Sequence, residues 1–387
     1  MSKTRTPTKK AKKSPGKKRS PLRIVVGPQP EQARAKRSPV KTPAPRLVAW
    51  EITRQCNLAC SHCRASATAE PAPGELSTAE GVKLLKSLEA AGSPMVILTG
   101  GEPLLRQDVF ELARAGKSLG LQMALATNGG LVNDEVAEKI AKSGIRRVAV
   151  SIDGLTSETH DKIRATPGSF SAAIKAASVL RKHAVPFQIN TSVTRSNDGE
   201  LQQMCGLVEA LGAEAWHIFM VVPMGRAVGI GDSLVDSTRY NEILQWLAGK
   251  ASSLNIEIKP TCAPQFYRII RQNTNANNGA PAKERMTATR GCLAGQGFAF
   301  ISSTGNVQPC GYFPVVAGNL RKYTFNQIWR SSALFQQLRD PAKYRGRCGR
   351  CEFFDVCGGC RARALATSGH FLNDDIYCSY TPRADAP

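Results

Sequence analysis

Residues 56–63 read CNLACSHC, three cysteines in the spacing Cys-x-x-x-Cys-x-x-Cys. Thiolates are soft ligands for zinc and iron, and a metal site that only holds a fold together closes with four protein ligands. Here the next cysteine along the chain is Cys205. Cys56, Cys60 and Cys63 suit a four-iron cubane, which takes one ligand per iron and with three thiolates keeps its fourth iron open to a small molecule. The alternative is a zinc ion that borrows a fourth ligand, and His62 inside the loop is the donor at hand. The loop directly follows the apolar run LVAWEIT. A site at the end of a buried strand favours the open cluster.

A second cysteine group lies towards the other end: Cys292, Cys310, Cys348, Cys351, Cys357, Cys360 and Cys378, with CGRCEFFDVCGGC at its centre. C-x-x-C pairs serve iron–sulfur clusters and zinc alike. Cys205, on an amphipathic helical stretch, reads as core. Cys262, just after a predicted strand, is a candidate to face the cavity. Twelve cysteines without a charged-then-apolar leader pattern read as metal ligands in a reducing cytoplasm rather than as disulfides.

The elements that must position these groups alternate between strand and helix. LVAWEIT, MVILT, LQMALAT, RRVAVSI, FQINTSV and AWHIFMVV are strand-like runs. Between them lie helical patterns starting at Ser77 (with Glu80 in capping-box spacing), Val109, Asn133, Ser169 and Glu200. Six strands and five helices predict a parallel α/β sheet, a partial (β/α)6 TIM-like barrel too short to close as eight units. The triad, GGEP, NGG and DG follow successive strands, the end where parallel barrels build active sites. The spacing then predicts a helix over 233–255, a strand at IEIKP and a helix containing QFYRIIRQ, with a polar linker over 274–288. The expected organisation is a basic tail over 1–46, the partial barrel over 47–228, a connecting segment over 229–288 and a small cysteine-rich domain over 289–382.

The net charge of +22 is unevenly placed. Residues 1–46 hold 15 Lys or Arg against Glu31 alone, and the other 341 residues hold 37 bases against 29 acids. The tail is rich in Lys, Pro and Ser with little to bury, so it reads as a disordered, solvated appendage; nucleic-acid contact is the weaker alternative. No run of eighteen apolar residues occurs, which predicts no membrane span.

The triad followed by TGGEPLLR at 99–106 resembles the radical S-adenosylmethionine (SAM) superfamily. The resemblance implies a 4Fe–4S cluster whose open iron chelates the amino and carboxylate groups of SAM. Gly100, Gly101 and Glu102 match the motif that receives the SAM ammonium: glycines expose backbone carbonyls and the carboxylate is a charge-assisted acceptor. His62 stands at the usually aromatic position that packs on adenine, and Asn128 follows the third strand. Ser151 and Asp153 are placed for ribose hydroxyls and Arg164 for the SAM carboxylate; a cap, turn or surface role is the ordinary alternative for these three.

The C-terminal cysteines resemble the SPASM-type extension that carries one or two auxiliary 4Fe–4S clusters. By that pattern Cys348, Cys351, Cys357 and Cys378 hold one cluster, and Cys292, Cys310 and Cys360 hold another with one iron free. Two residues rather than three separate Cys357 from Cys360, so the partition stays open. The stretches PRLVAWEITRQCNLACSHCRA, AWHIFMVVPMGRA, TCAPQFYRI, RGCLAGQGF and CGGCRARA resemble the heme b synthases of the siroheme-dependent pathway. That resemblance implies oxidative decarboxylation of two propionates of iron-coproporphyrin III to vinyl groups, an auxiliary cluster as electron acceptor, and a low-potential donor such as ferredoxin or flavodoxin. Related enzymes acting on another tetrapyrrole (heme d1 or didecarboxysiroheme), or a SPASM peptide-modifying enzyme, are the alternatives. Arg195, Arg226 and Arg268 are candidates for substrate carboxylates. His217 and Tyr267 are candidates to reach the porphyrin, with a hydrogen-bonded core histidine the ordinary reading of His217.

Overall fold

Trp50 and Ile52 are wholly buried on Leu47–Thr53 (β1), the strand that delivers the cysteine loop. The computed structural model describes residues 42–251, 253–276 and 291–383. The first 41 residues of the basic tail and most of the polar 274–288 stretch lie outside these. Beside β1 run Met95–Gly100 (β2), Met123–Thr127 (β3), Ile145–Ser151 (β4), Phe187–Val193 (β5) and Ala215–Met220 (β6), each parallel to its neighbour and in sequence order. These are the six expected strands. β-branched and aliphatic residues on their outer face, such as Val96, Leu98, Val148 and Ile189, meet the helices in one apolar core.

The crossovers are Thr78–Glu89 (α1), Val109–Ser118 (α2), Asp134–Ser143 (α3), Ser157–Arg164 (α4) with Ser169–Lys182 (α5), and Leu201–Leu211 (α6). Helix α1 starts with the expected reciprocal capping box between Ser77 and Glu80. Helix α4 has too polar a sequence, SETHDKIR, to show an apolar stripe. It folds as helix because Thr156 caps it and because His160, Ile163 and Arg164 find buried partners. The helix expected over 233–255 is shorter: a 3-10 segment ends at Ser233, and Asp236 caps Ser237–Lys250 (α7) by accepting from the Arg239 amide.

The sheet continues past both ends of the six. Glu257–Thr261 (β7), the IEIKP run, pairs parallel with β6. Phe298–Ile301 (β8) pairs parallel with β1, and Asn306–Gln308 (β9) and Gly318–Asn319 (β10) follow antiparallel at the edge. Among the described residues, ten strands thus form one sheet with β10 and β7 at its edges. The sheet therefore includes strands that the sequence assigned to the connecting segment and the cysteine-rich domain. The tail boundary drawn at residue 46 needs correction. Pro43 accepts a hydrogen bond from the Trp329 indole at 2.8 Å, and the Arg46 amide donates to Gly297 at 2.8 Å. A charge count does not register backbone pairing. No helix among the described residues is long and apolar enough to cross a membrane.

Candidate active site at the strand ends

The triad loop leaves β1 and is held by groups from three other strand ends. On one side passes the GGE turn after β2. The Gly101 amide donates to Thr53 at 2.8 Å and the Glu102 amide to Gln55 at 2.7 Å. A Cβ on Gly100 would sit 2.3 Å from the Thr53 carbonyl oxygen, and one on Gly101 2.1 Å from that of Gln55. These glycines are demanded first by close backbone approach to β1. From beyond β6, the Arg226 guanidinium donates to the carbonyls of Cys60 (2.8 Å) and Ala67 (2.7 Å), and its amide to Cys63 (2.9 Å). From α4, the Ile163 carbonyl accepts from the Ser61 amide and hydroxyl.

Glu102 is fully enclosed. One carboxylate oxygen accepts from the Leu104 amide (3.0 Å) and the Thr127 hydroxyl (2.9 Å), the other from the Asn128 amide (2.8 Å). Burial nonetheless pushes its carboxyl up to about 7, because three neutral donors do not replace hydration. The group is a preorganised acceptor that gains from an added N–H donor. Asn128 reaches the other way: its amide donates to Asn57 at 2.8 Å and lies 4.0 Å from the Cys56 sulfur.

Asp153 differs from its expected ribose contact. It is fully buried; one oxygen accepts from the Ser192 amide at 2.7 Å, and the other lies 2.7 Å from Arg164 and 3.5 Å from the His62 ring. Burial alone would raise its carboxyl, but the Arg164 charge overrides this and holds it below the usual range. Arg164 in turn donates to the Cys60 sulfur at 3.7 Å. Burial holds His62 down at about 4, so its ring is neutral beside Asp153. Ser151 is half-buried at the end of β4.

The three arginines expected to meet substrate carboxylates are otherwise engaged. Arg195 pairs with Asp236 at the surface, Arg226 holds the triad loop, and Arg268 donates to Gln272 and lies over the Tyr380 ring. His217 is hydrogen-bonded to the Gln188 amide at 2.9 Å, with burial lowering it to about 3. Tyr267 packs edge-on against Phe266. Sequence reading passed over Lys259, which lies in register beside His217 on the inner face of β7 and forms no ion pair among the described residues.

The thiols fit iron–sulfur clusters. Among the described residues no three His, Cys, Asp or Glu side chains converge where one metal ion would sit. A cubane asks instead for one thiolate per iron around a larger body. Burial raises the Cys56 thiol to about 11 and also raises Cys60, a cost that bound iron offsets. N–H donors already address the sulfurs: Leu58 to Cys56 at 3.4 Å, Gly359 to Cys357 at 3.5 Å and Arg361 to Cys348 at 3.6 Å. Among the C-terminal thiols, Cys357 and Cys351 are each within electrostatic range of Cys348 and Cys378, and Cys310 is within range of Cys292 and Cys360. Tyr312 stands between the sites, within range of Cys63 on one side and of Cys262 and Cys310 on the other. Cys205 is buried in the core of α6.

Residues 50–208 match the Radical SAM superfamily model, and residues 292–360 match SPASM, an iron-sulfur cluster-binding domain. The chain is similar to the AdoMet-dependent heme synthase of Oleidesulfovibrio alaskensis, with 46% identity over 345 residues covering 88% of this chain and 89% of that protein. It is 30% identical to the pre-heme d1 synthase of Dinoroseobacter shibae over 88% of this chain and 87% of that one. Among solved structures, Streptococcus suis SuiB bound to S-adenosylmethionine superposes with a TM-score of 0.69 at 17% identity, covering 87% of this chain and 77% of SuiB. That likeness is one of fold.

Proposed function

This chain belongs to the radical SAM superfamily and carries a SPASM iron–sulfur cluster-binding domain, and on that premise we propose that it is a heme synthase that oxidatively decarboxylates two propionates of iron-coproporphyrin III to vinyl groups. The observation that carries the reading is the gap between 46% identity to an AdoMet-dependent heme synthase and 30% to a pre-heme d1 synthase, at nearly equal coverage. When bound at Cys56, Cys60 and Cys63, the cluster and SAM supply the 5′-deoxyadenosyl radical that removes a hydrogen atom from the substrate.

The residues of the chain set the conditions for that step. Glu102 offers its fixed carboxylate to the amino group of SAM, and the close-packed Gly100–Gly101 turn holds it in place. Asn128 and Arg164 set the polarity at the sulfurs of Cys56 and Cys60. Ser151, at the end of β4, is the remaining candidate for a ribose hydroxyl. The substrate is a tetra-anion, and Lys259 is the cation we assign to one of its carboxylates. Burial disfavours the Lys259 charge, and a carboxylate opposite would relieve that cost. Each propionate loses a hydrogen atom, carbon dioxide and one electron to become a vinyl group.

The test is anaerobic incubation of reconstituted protein with SAM, reductant and iron-coproporphyrin III, read by mass spectrometry. Two successive losses of carbon dioxide and two hydrogens per macrocycle are expected. Turnover of a siroheme-derived substrate with iron-coproporphyrin III left intact would replace this reading with a related tetrapyrrole reaction.

A further inference from the structure

We infer that Cys262 supplies a fourth thiolate to the iron–sulfur site formed by Cys292, Cys310 and Cys360, so that this auxiliary site is closed by protein rather than left with an open iron. The inference rests on the reading of the C-terminal thiols as cluster ligands. It reverses the expectation from sequence, which left one iron of that site free.

Cys262 lies immediately after β7, thirty residues before Cys292. Its φ of +57° is in the left-handed region that side chains other than glycine rarely adopt. Such a conformation persists only where its surroundings impose it. The surroundings are an enclosed ionic network. The Arg363 guanidinium donates to the Cys262 carbonyl at 2.8 Å and pairs with Asp375 at 3.1 Å. Asp375 accepts from the Cys360 amide at 2.9 Å and from the Gln265 side chain at 2.7 Å. Arg363 and Asp375 are both fully buried, and the arginine lies between the Tyr240 and Tyr377 rings. One ion pair thus fixes the backbone of Cys262 against that of Cys360.

The side chains follow the backbone. The Cys262 and Cys360 thiols are hydrogen-bonded to one another, and Cys310 lies within electrostatic range of Cys262. Cys292 and Cys310 are each within range of Cys360. All four are free thiols. A structural cysteine in an apolar core would face aliphatic neighbours, as Cys205 does; Cys262 instead faces two proposed ligands, Cys360 and Cys310. A strained backbone turned towards them gives that orientation a purpose. The consequence is chemical: a site with four thiolates has no vacancy for a substrate carboxylate, so its role is to move or store charge.

The test uses full-length protein whose triad is removed by C56A/C60A/C63A, so that the deliberately open cluster does not contribute. In that background, mild oxidation should produce no three-iron electron paramagnetic resonance signal, because no iron lacks a thiolate. Adding Cys262→Ala should produce one such signal per chain, and 2-mercaptoethanol should suppress it by taking the vacant position. Cys262→Ser keeps the volume of the side chain and should retain eight irons per chain with an altered spectrum, which separates ligation from folding. A three-iron signal already present before Cys262 is changed, and unaffected by changing it, would overturn the inference while leaving the cluster reading intact. Absence of iron from the triad-deleted protein would overturn both.

Discussion

Arg164 donates to the sulfur of Cys60 at 3.7 Å while its other terminal nitrogen lies 2.7 Å from Asp153. One buried guanidinium therefore serves two partners, the fixed carboxylate of Asp153 and the sulfur of Cys60, a proposed cluster ligand. Removing it by Arg164→Met leaves Asp153 enclosed without a countercharge, at a cost of about 3–5 kcal/mol in the cluster-free protein. It also removes a donor and a positive charge from the cluster sulfur, which makes the reduction potential more negative. Denaturant titration reads the first effect, and Asp153→Asn added to the variant should recover part of it. A potentiometric titration of the loaded protein reads the second; an unchanged potential would mean that Arg164 acts on Asp153 alone.

Glu102 sets a pH dependence in the SAM-free protein. Burial lifts its folded-state pKa to about 7 from 4.5, so the group favours the fold fully below about 4.5 and that contribution is lost as pH rises through 7. The shift corresponds to about 3 kcal/mol. Between pH 5 and 8, wild type should lose stability relative to Glu102→Gln. On the proposed contact of the SAM amino group with Glu102, added SAM should narrow that loss in wild type and not in the variant. Melting temperatures over this range with and without SAM are the measurement, and parallel curves for the two proteins would contradict it.

Gly101→Ala forces a Cβ to within 2.1 Å of the Gln55 carbonyl oxygen, and no side-chain rotation can relieve a clash between backbones. A destabilisation of about 3 kcal/mol or more is expected, with loss of SAM binding in whatever protein folds. Gly206, inside α6 with nothing within 4 Å of an added Cβ, is the control. Gly206→Ala should be neutral or stabilising by up to about 1 kcal/mol.

Truncation tests where the folded chain begins. Deleting residues 1–41 should leave iron content and turnover unchanged, as expected of a polar, basic appendage. Deleting 1–46 also removes the Pro43 carbonyl from Trp329, the Arg46 amide from Gly297 and the Arg46 carbonyl from Met95. The melting temperature of the shorter protein should fall by several degrees. Equal stability of the two would show that these contacts contribute nothing.

Cys60→Ala should abolish reductive cleavage of SAM while iron remains in the C-terminal region. Product 5′-deoxyadenosine, read by chromatography, and iron per chain decide this together. Full cleavage by the variant would remove the triad from its assigned role.

The sequence by itself determined what is local. The spacing of Cys56, Cys60 and Cys63, the Gly-Gly-Glu that follows the second strand, the capping box of Ser77 and Glu80 and the alternating periods of strand and helix all lie within short windows. In such windows covalent geometry alone constrains what can meet. These features carried the fold class and the cluster chemistry. The tertiary structure decided the pairings between distant residues, because they depend on which strand lies beside which. Arg164 reaches Cys60 across 104 positions, from a helix too polar to show a periodic stripe. Asp153 has the residue type of a ribose ligand, yet burial turns it into the countercharge of Arg164. Cys262 reads in sequence only as a candidate to face the cavity, because its proposed partners lie in a region expected to fold apart. The pairing of β8 with β1 and of β7 with β6 puts them in one sheet, and the buried ion pair of Arg363 and Asp375 brings the thiols together.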